Sequence, residues 1–119
     1  MNRKNATREQ ARQILKKGIC DMSIGRLIQL SHYGLMGNIA LSSKTMSVDN
    51  IFNRIKYDEE NSVITFSVEE SQGSYGEISF LIDAIVDISG CEDKEDPEEY
   101  LNINIKLDND TTIDIRILY

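Results

Sequence analysis

Residues 101–118, LNINIKLDNDTTIDIRIL, hold the most regular pattern in this 119-residue chain. Leu101, Ile103, Ile105 and Leu107 alternate with Asn102, Asn104 and Lys106, and Ile113, Ile115 and Ile117 alternate with Asp114 and Arg116. A period of two belongs to a strand with one face buried, so the stretch predicts two strands and a turn. Every apolar position is odd-numbered, so facing residues must sum to an even number to share a face. A two-residue turn at Asn109-Asp110 breaks that rule and sets Asp114 against Ile105, in the core. A three-residue turn keeps it, with Asn or Asp in the left-handed position. One such register also sets Lys106 beside Asp114 on the wet face.

Upstream, the same alternation recurs. Ile64, Phe66 and Val68, then Ile78, Phe80 and Ile82, flank a Gly/Ser loop at 71–76 and predict a second hairpin. The segment 83–89 (DAIVDIS) fits a strand or a helical turn, and a strand is favoured because Gly90 and the acidic run 92–99 close it after only a few residues. Before residue 57 the period lengthens. Thr7 and Gln10 fit a capping box for a helix over about 8–17, with Gly18 as its left-handed C-cap. Asp21 or Ser23 caps a second helix over about 22–32, with Ile24, Leu27 and Ile28 on one side and Gly34 at its end. Ile39 and Leu41 hint at a strand within 35–47, and Asp49 predicts a helical turn holding Ile51, Phe52 and Ile55. The expected fold is therefore α+β, two short N-terminal helices packed on a mostly antiparallel sheet of four to six strands. One domain over 1–119 is expected, with a flexible basic tail at 1–6, a helical part at 7–34 and a β-rich acidic region at 57–119.

Little in the chain resembles catalytic equipment. The single histidine, His32, lies near a helix end and has no ligand spacing with either cysteine. Gly73-Ser74-Tyr75-Gly76 lies between two strands rather than between a strand and a helix, so it is a hairpin connection and not a phosphate cradle. Asp108-Asn109-Asp110 resembles a calcium loop only at its start, because Ile113 stands where the glycine belongs and Tyr119 where the glutamate belongs. Asp83 and Asp87, with Glu77 and Glu92, lack a neighbouring Lys or His to move protons. No catalytic residue, metal or cofactor is expected, and the chain reads as non-enzymatic. Cys20 and Cys91 read as reduced thiols, and without a secretory signal or membrane-length apolar run a cytoplasmic location with no membrane partner is expected.

Charge is the strongest remaining signal. Residues 1–56 carry 10 Lys/Arg and 3 Asp/Glu, residues 57–119 carry 3 and 17, and the two parts sum to the net −7 of the whole. Such a separation speaks to partners and assembly. The first expectation is an acidic interaction protein that binds, and inhibits, a basic nucleic-acid-handling partner or toxin. Small acidic anti-defence inhibitors from mobile elements and immunity proteins work in that way, by mimicking the charge of nucleic acid. Glu92, Asp93, Glu95, Asp96, Glu98 and Glu99 would supply charge, with Tyr100 or Tyr75 as aromatic anchor.

An alternative is a small regulator that binds nucleic acid through Arg8, Arg12, Lys16, Lys17 and Arg26, helped by Arg3 and Lys4. Two helices around Gly18 invite a helix-turn-helix comparison, and Ile19, Ile24 and Leu27 fit its apolar positions, but Gln13 and Lys17 do not. A further alternative sequesters a nucleotide or other small anion between Arg26, Arg54 and Arg116. Pairing of the basic N-terminal region with the acidic C-terminal region would also build a homo-oligomer.

Overall fold

The computed structural model describes residues 13, 17–97 and 99–118. Among them are eight strands: β1 (Met36–Ser42), β2 (Ser47–Phe52), β3 (Arg54–Asp58), β4 (Val63–Glu70), β5 (Gly73–Leu81), β6 (Ile85–Glu92), β7 (Tyr100–Leu107) and β8 (Thr112–Leu118). They form an antiparallel five-stranded sheet in the order β2-β1-β8-β7-β6 and an antiparallel three-stranded sheet in the order β3-β4-β5. The expected α+β architecture is thereby corrected. The fold is mostly β, its strands number more than six, and a second sheet takes the place of helices over the first.

The C-terminal hairpin behaves as its alternation demands. Leu101, Ile103, Ile105, Ile113, Ile115 and Ile117 are at most 1% exposed, and Ile105 faces Ile113. The Leu107 amide donates to Thr111 O (2.9 Å), which leaves the three residues Asp108 to Asp110 in the turn, and Asp110 takes the left-handed conformation with φ 63°. The register is shifted by two residues from that with Lys106 beside Asp114: Lys106 faces Thr112 and Asp114 faces Asn104. Asn109 Oδ1 accepts the Thr111 amide, 3.2 Å, which tightens the turn at that position.

The second hairpin also forms, with a shorter connection than the 71–76 loop. Glu70 pairs with Gly73, so Ser71-Gln72 alone turns the chain. Gly76 lies inside β5 at φ +63°, where the β4–β5 register shifts, a backbone conformation that costs glycine no Cβ clash. The strand expected over 83–89 begins later, because a 3₁₀ turn at Ile82–Ala84 precedes β6.

The largest correction falls at residues 47–58. The helical turn expected there is two strands, and the chain passes from one sheet to the other through Asn53 alone. Asn53 makes that corner with three hydrogen bonds to β4: its amide donates to Ser67 O (3.0 Å), Nδ2 donates to Glu69 O (3.2 Å), and Oδ1 accepts the Glu69 amide (2.8 Å). The side chain thus satisfies the ladder groups that a regular strand neighbour would take. Phe52, just before the corner, then packs edge-on against Phe66 (5.1 Å between centroids), and Phe66 stacks on Phe80 at 6.1 Å. The two sheets share one core through these rings and the aliphatic face of β7 and β8.

Helix α1 (Ile24–Gln29) is shorter than expected and runs into a 3₁₀ turn at Leu30–His32. Of the two expected caps, Asp21 and Ser23, it is Ser23 that caps it, its Oγ accepting the Arg26 amide at 3.2 Å. Leu27 is buried, and Ile24 and Ile28 pack against the core. The expected first helix falls largely outside the described residues. Gly18 is not a left-handed cap, having φ −106° before a 3₁₀ turn at Ile19–Asp21. That turn packs on β6, with the Ile19 carbonyl against Gly90.

Candidate functional site

The pleat that buries the odd face of β7 and β8 pushes Asn102, Asn104, Lys106, Asp114 and Arg116 to the opposite face of the five-stranded sheet. The register then sets residues from distant parts of the chain in rows across it. One row is Met36, Leu118 and Tyr100; the next is Ile51, Asn38, Arg116, Asn102 and Cys91; a third is Asp49, Ala40, Asp114, Asn104 and Ser89. Asn38, Asp49, Asn104 and Asp114 are exposed, so this part of the face is open among the described residues, while Asn102 and Arg116 are half-buried and bonded to Asp93.

Two shallow grooves adjoin on it. An apolar one of about 360 Å³ is lined by Met36, Ile51, Phe52, Val68, Tyr100 and Leu118. A polar one of about 410 Å³ includes Asn38, Ala40, Asp49, Asn102, Asp114 and Arg116. Met36 is 48% and Ile51 61% exposed, large values for side chains that water penalises.

The acidic run borders the same face, and its described carboxylates differ in exposure, with Asp96 half-buried. Glu92, Glu95 and Glu99 are exposed. Asp93 is only 9% exposed and organises the loop. Its carboxylate accepts from Asn102 Nδ2 (2.9 Å), from the Asp96 amide (2.9 Å) and from Arg116 Nη2 (3.2 Å). Its own amide donates to Tyr100 O (3.3 Å), and the Asp96 carbonyl accepts the amides of Glu99 and Tyr100 (3.2 and 3.0 Å). Arg116 also lies over the Tyr100 ring, 3.8 Å from the centroid, while its Nε is buried and has no hydrogen-bond partner among the described residues. Asp93 therefore serves the fold, and Tyr100 has one ring face occupied by Arg116. Glu98 lies outside the described residues.

The Asn102 amide foremost, then the Asp96 amide and the Arg116 guanidinium, hold the Asp93 carboxyl below the ordinary aspartate range, against the opposing effect of burial. A carboxyl with a depressed folded-state value stabilises the protein fully above its unfolded value. That contribution disappears as pH falls through the lower, folded one. Asp93→Ala should therefore flatten the acid limb of the stability–pH curve and speed hydrogen exchange at the Asp96 and Tyr100 amides. An acid limb identical to that of the parent protein contradicts this role.

The other predicted positions are dispersed. Arg54 Nε pairs with Glu69 at 3.2 Å on the three-stranded sheet, Arg116 pairs with Asp93, and Arg26 lies against Gly18. Arg54 and Arg116 line different grooves, so the three arginines proposed as an anion pocket do not converge. Lys17 is exposed, whereas Arg8, Arg12 and Lys16 lie outside the described residues. Tyr75, on the edge strand β5, donates its hydroxyl to Glu70 at the end of β4 (3.1 Å), which pushes the phenol up.

His32 lines a groove of about 380 Å³ with Ser31, Arg54 and Glu69, but the Ser31 hydroxyl is directed to Ile28 O at 2.7 Å. Among the described residues no group of three or more His, Cys, Asp or Glu is placed to hold a metal ion, and no helix is long and apolar enough to cross a membrane. Both cysteines are free and exposed.

Sequence patterning reached Asn102, Asn104 and Asp114 as outward positions, but not Met36, Asn38, Asp49 and Ile51, whose strands carry weak alternation. Compared with known proteins, the chain matches no family model, no curated protein and no solved structure.

Proposed function

We propose that this protein is a non-enzymatic interaction protein that binds a basic partner through the acidic loop at 92–99, most plainly as an inhibitor of a nucleic-acid-handling protein or toxin. The observation that carries the reading is the division of labour in the loop. Asp93 ties the backbone down from inside, so Glu95 and Glu99 are displayed on an ordered turn and Glu92 at the end of β6. Charges held in place lose less side-chain and loop entropy on binding than charges on a free tail. They also steer a cationic partner over a range set by the Debye length, about 8 Å at physiological salt.

The Glu92→Gln, Glu95→Gln, Glu98→Gln, Glu99→Gln variant should keep the parent circular dichroism spectrum and lose about tenfold or more in affinity for an oligo-lysine peptide at low salt. Equal affinity of variant and parent at low ionic strength rejects the loop as a binding element.

A further inference from the structure

We infer that the open face of the five-stranded sheet is a docking surface for an extended basic segment of the partner, one that carries an apolar anchor beside its cations. This rests on the proposed function and names the chemistry of the segment. The apolar groove supplies the first half. Met36 and Leu118 stand side by side in the register with Tyr100, and Ile51 is in the next row. Phe52 and Val68 form the lining beneath. An aliphatic side chain seated there removes Met36 and Ile51 from water.

The second half is charge. Asp49 and Asp114 flank Ala40 in a single row, two strand spacings or about 10 Å apart at their backbones. The Ala40 methyl leaves a notch between them, and a guanidinium or ammonium over it comes within reach of both carboxylates. Neither carboxylate has an ion pair among the described residues, whereas the cations of this face are engaged or offset. Arg116 is taken by Asp93 and Tyr100, and Lys106 stands beside Asp87. Nucleic acid, anionic lipid and acidic peptides are repelled by such a face, while a cation is drawn to it.

Spacing narrows the occupant further. Met36 and Ala40 are four residues apart along β1, about 13 Å at strand rise. An extended partner segment meets both grooves when its apolar and cationic side chains are about four residues apart.

The test titrates the isotopically labelled full chain with two probes of equal charge: a peptide with leucine and arginine four residues apart, and oligo-lysine. The leucine–arginine peptide should shift the amides of Asn38, Ala40 and Asp114. Asp49→Asn with Asp114→Asn should weaken it about tenfold. Met36→Ser with Ile51→Ser should weaken it similarly and leave oligo-lysine binding unchanged. These four side chains are exposed, so the variants test the surface with little cost to the core. Shifts confined to 92–99 and indifferent to the sheet variants overturn the docking face while leaving the loop reading intact. No binding of either probe overturns both. Concentration-dependent shifts of the same amides without peptide overturn the inference in favour of a second copy of this chain.

Discussion

Phe66→Ala is expected to cost about 3–5 kcal/mol of unfolding free energy, measured by urea denaturation. Phe66 is fully buried at the centre of three rings, edge-on to Phe52 from the five-stranded sheet and stacked on Phe80 from its own. Truncation therefore removes transfer free energy, opens a cavity between the sheets and deletes two aromatic contacts, each worth about 0.5–1.5 kcal/mol beyond area burial. Phe66→Leu keeps most of the volume and should cost distinctly less. A loss below about 1 kcal/mol for the alanine variant places the weight of the inter-sheet core elsewhere.

Gly37→Ala should destabilise by about 1–3 kcal/mol or more, although it adds a single methyl group to a strand. A Cβ at Gly37 lands on the Arg116 carbonyl and comes within 3.1 Å of the Ile117 Cα. These are backbone atoms of β8, the central strand of the five-stranded sheet, and cannot swing aside as a flexible side chain would. The β1–β8 pair must part locally, which also disturbs the rows that carry Met36, Asn38 and Arg116. Gly34→Ala is the matched control, because nothing lies within 4 Å of its Cβ position and its backbone is not left-handed. Equal midpoints for the two variants in thermal or urea unfolding contradict the close approach.

The parts of the fold that were legible in the sequence share a physical property. Residues 101–107 and 113–117 each alternate without interruption because β7 and β8 are interior strands, one face in the core and the other in water. Strand periodicity reports such a geometry directly. Ser23 at the start of α1 was legible for a similar reason, since a cap is a bond between near neighbours.

Residues 47–58 were illegible because Ile51, Phe52 and Ile55 mix the two spacings. The cause is the corner at Asn53, where the buried side changes as the chain changes sheets. Ile51 faces water, and Phe52 and Ile55 face the core. Its stabilising bonds reach β4, more than a dozen residues away, and local propensity carries no trace of them.

The candidate site divides in the same way. Glu92, Glu95 and Glu99 were evident as a run of charge, and the structure leaves them exposed, whereas Asp93 in the same run is turned inward by Asn102 and Arg116 from other strands. The contrast between a basic first half and an acidic second half is plain along the chain. The two halves of the chain are not two separate layers, because β1 and β2 of the first half are built into one sheet with β6, β7 and β8 of the second.

From residues alone come the two hairpins, the buried parity of the last of them and the net charge, all properties of neighbours or of sums. The second sheet, the Asn53 corner and the meeting of Met36, Asp49 and Asp114 on one face come from strand order. Pairing of β1 with β8 joins residues 70 to 82 positions apart, and the gain from that pairing depends on shape and burial that no local pattern encodes.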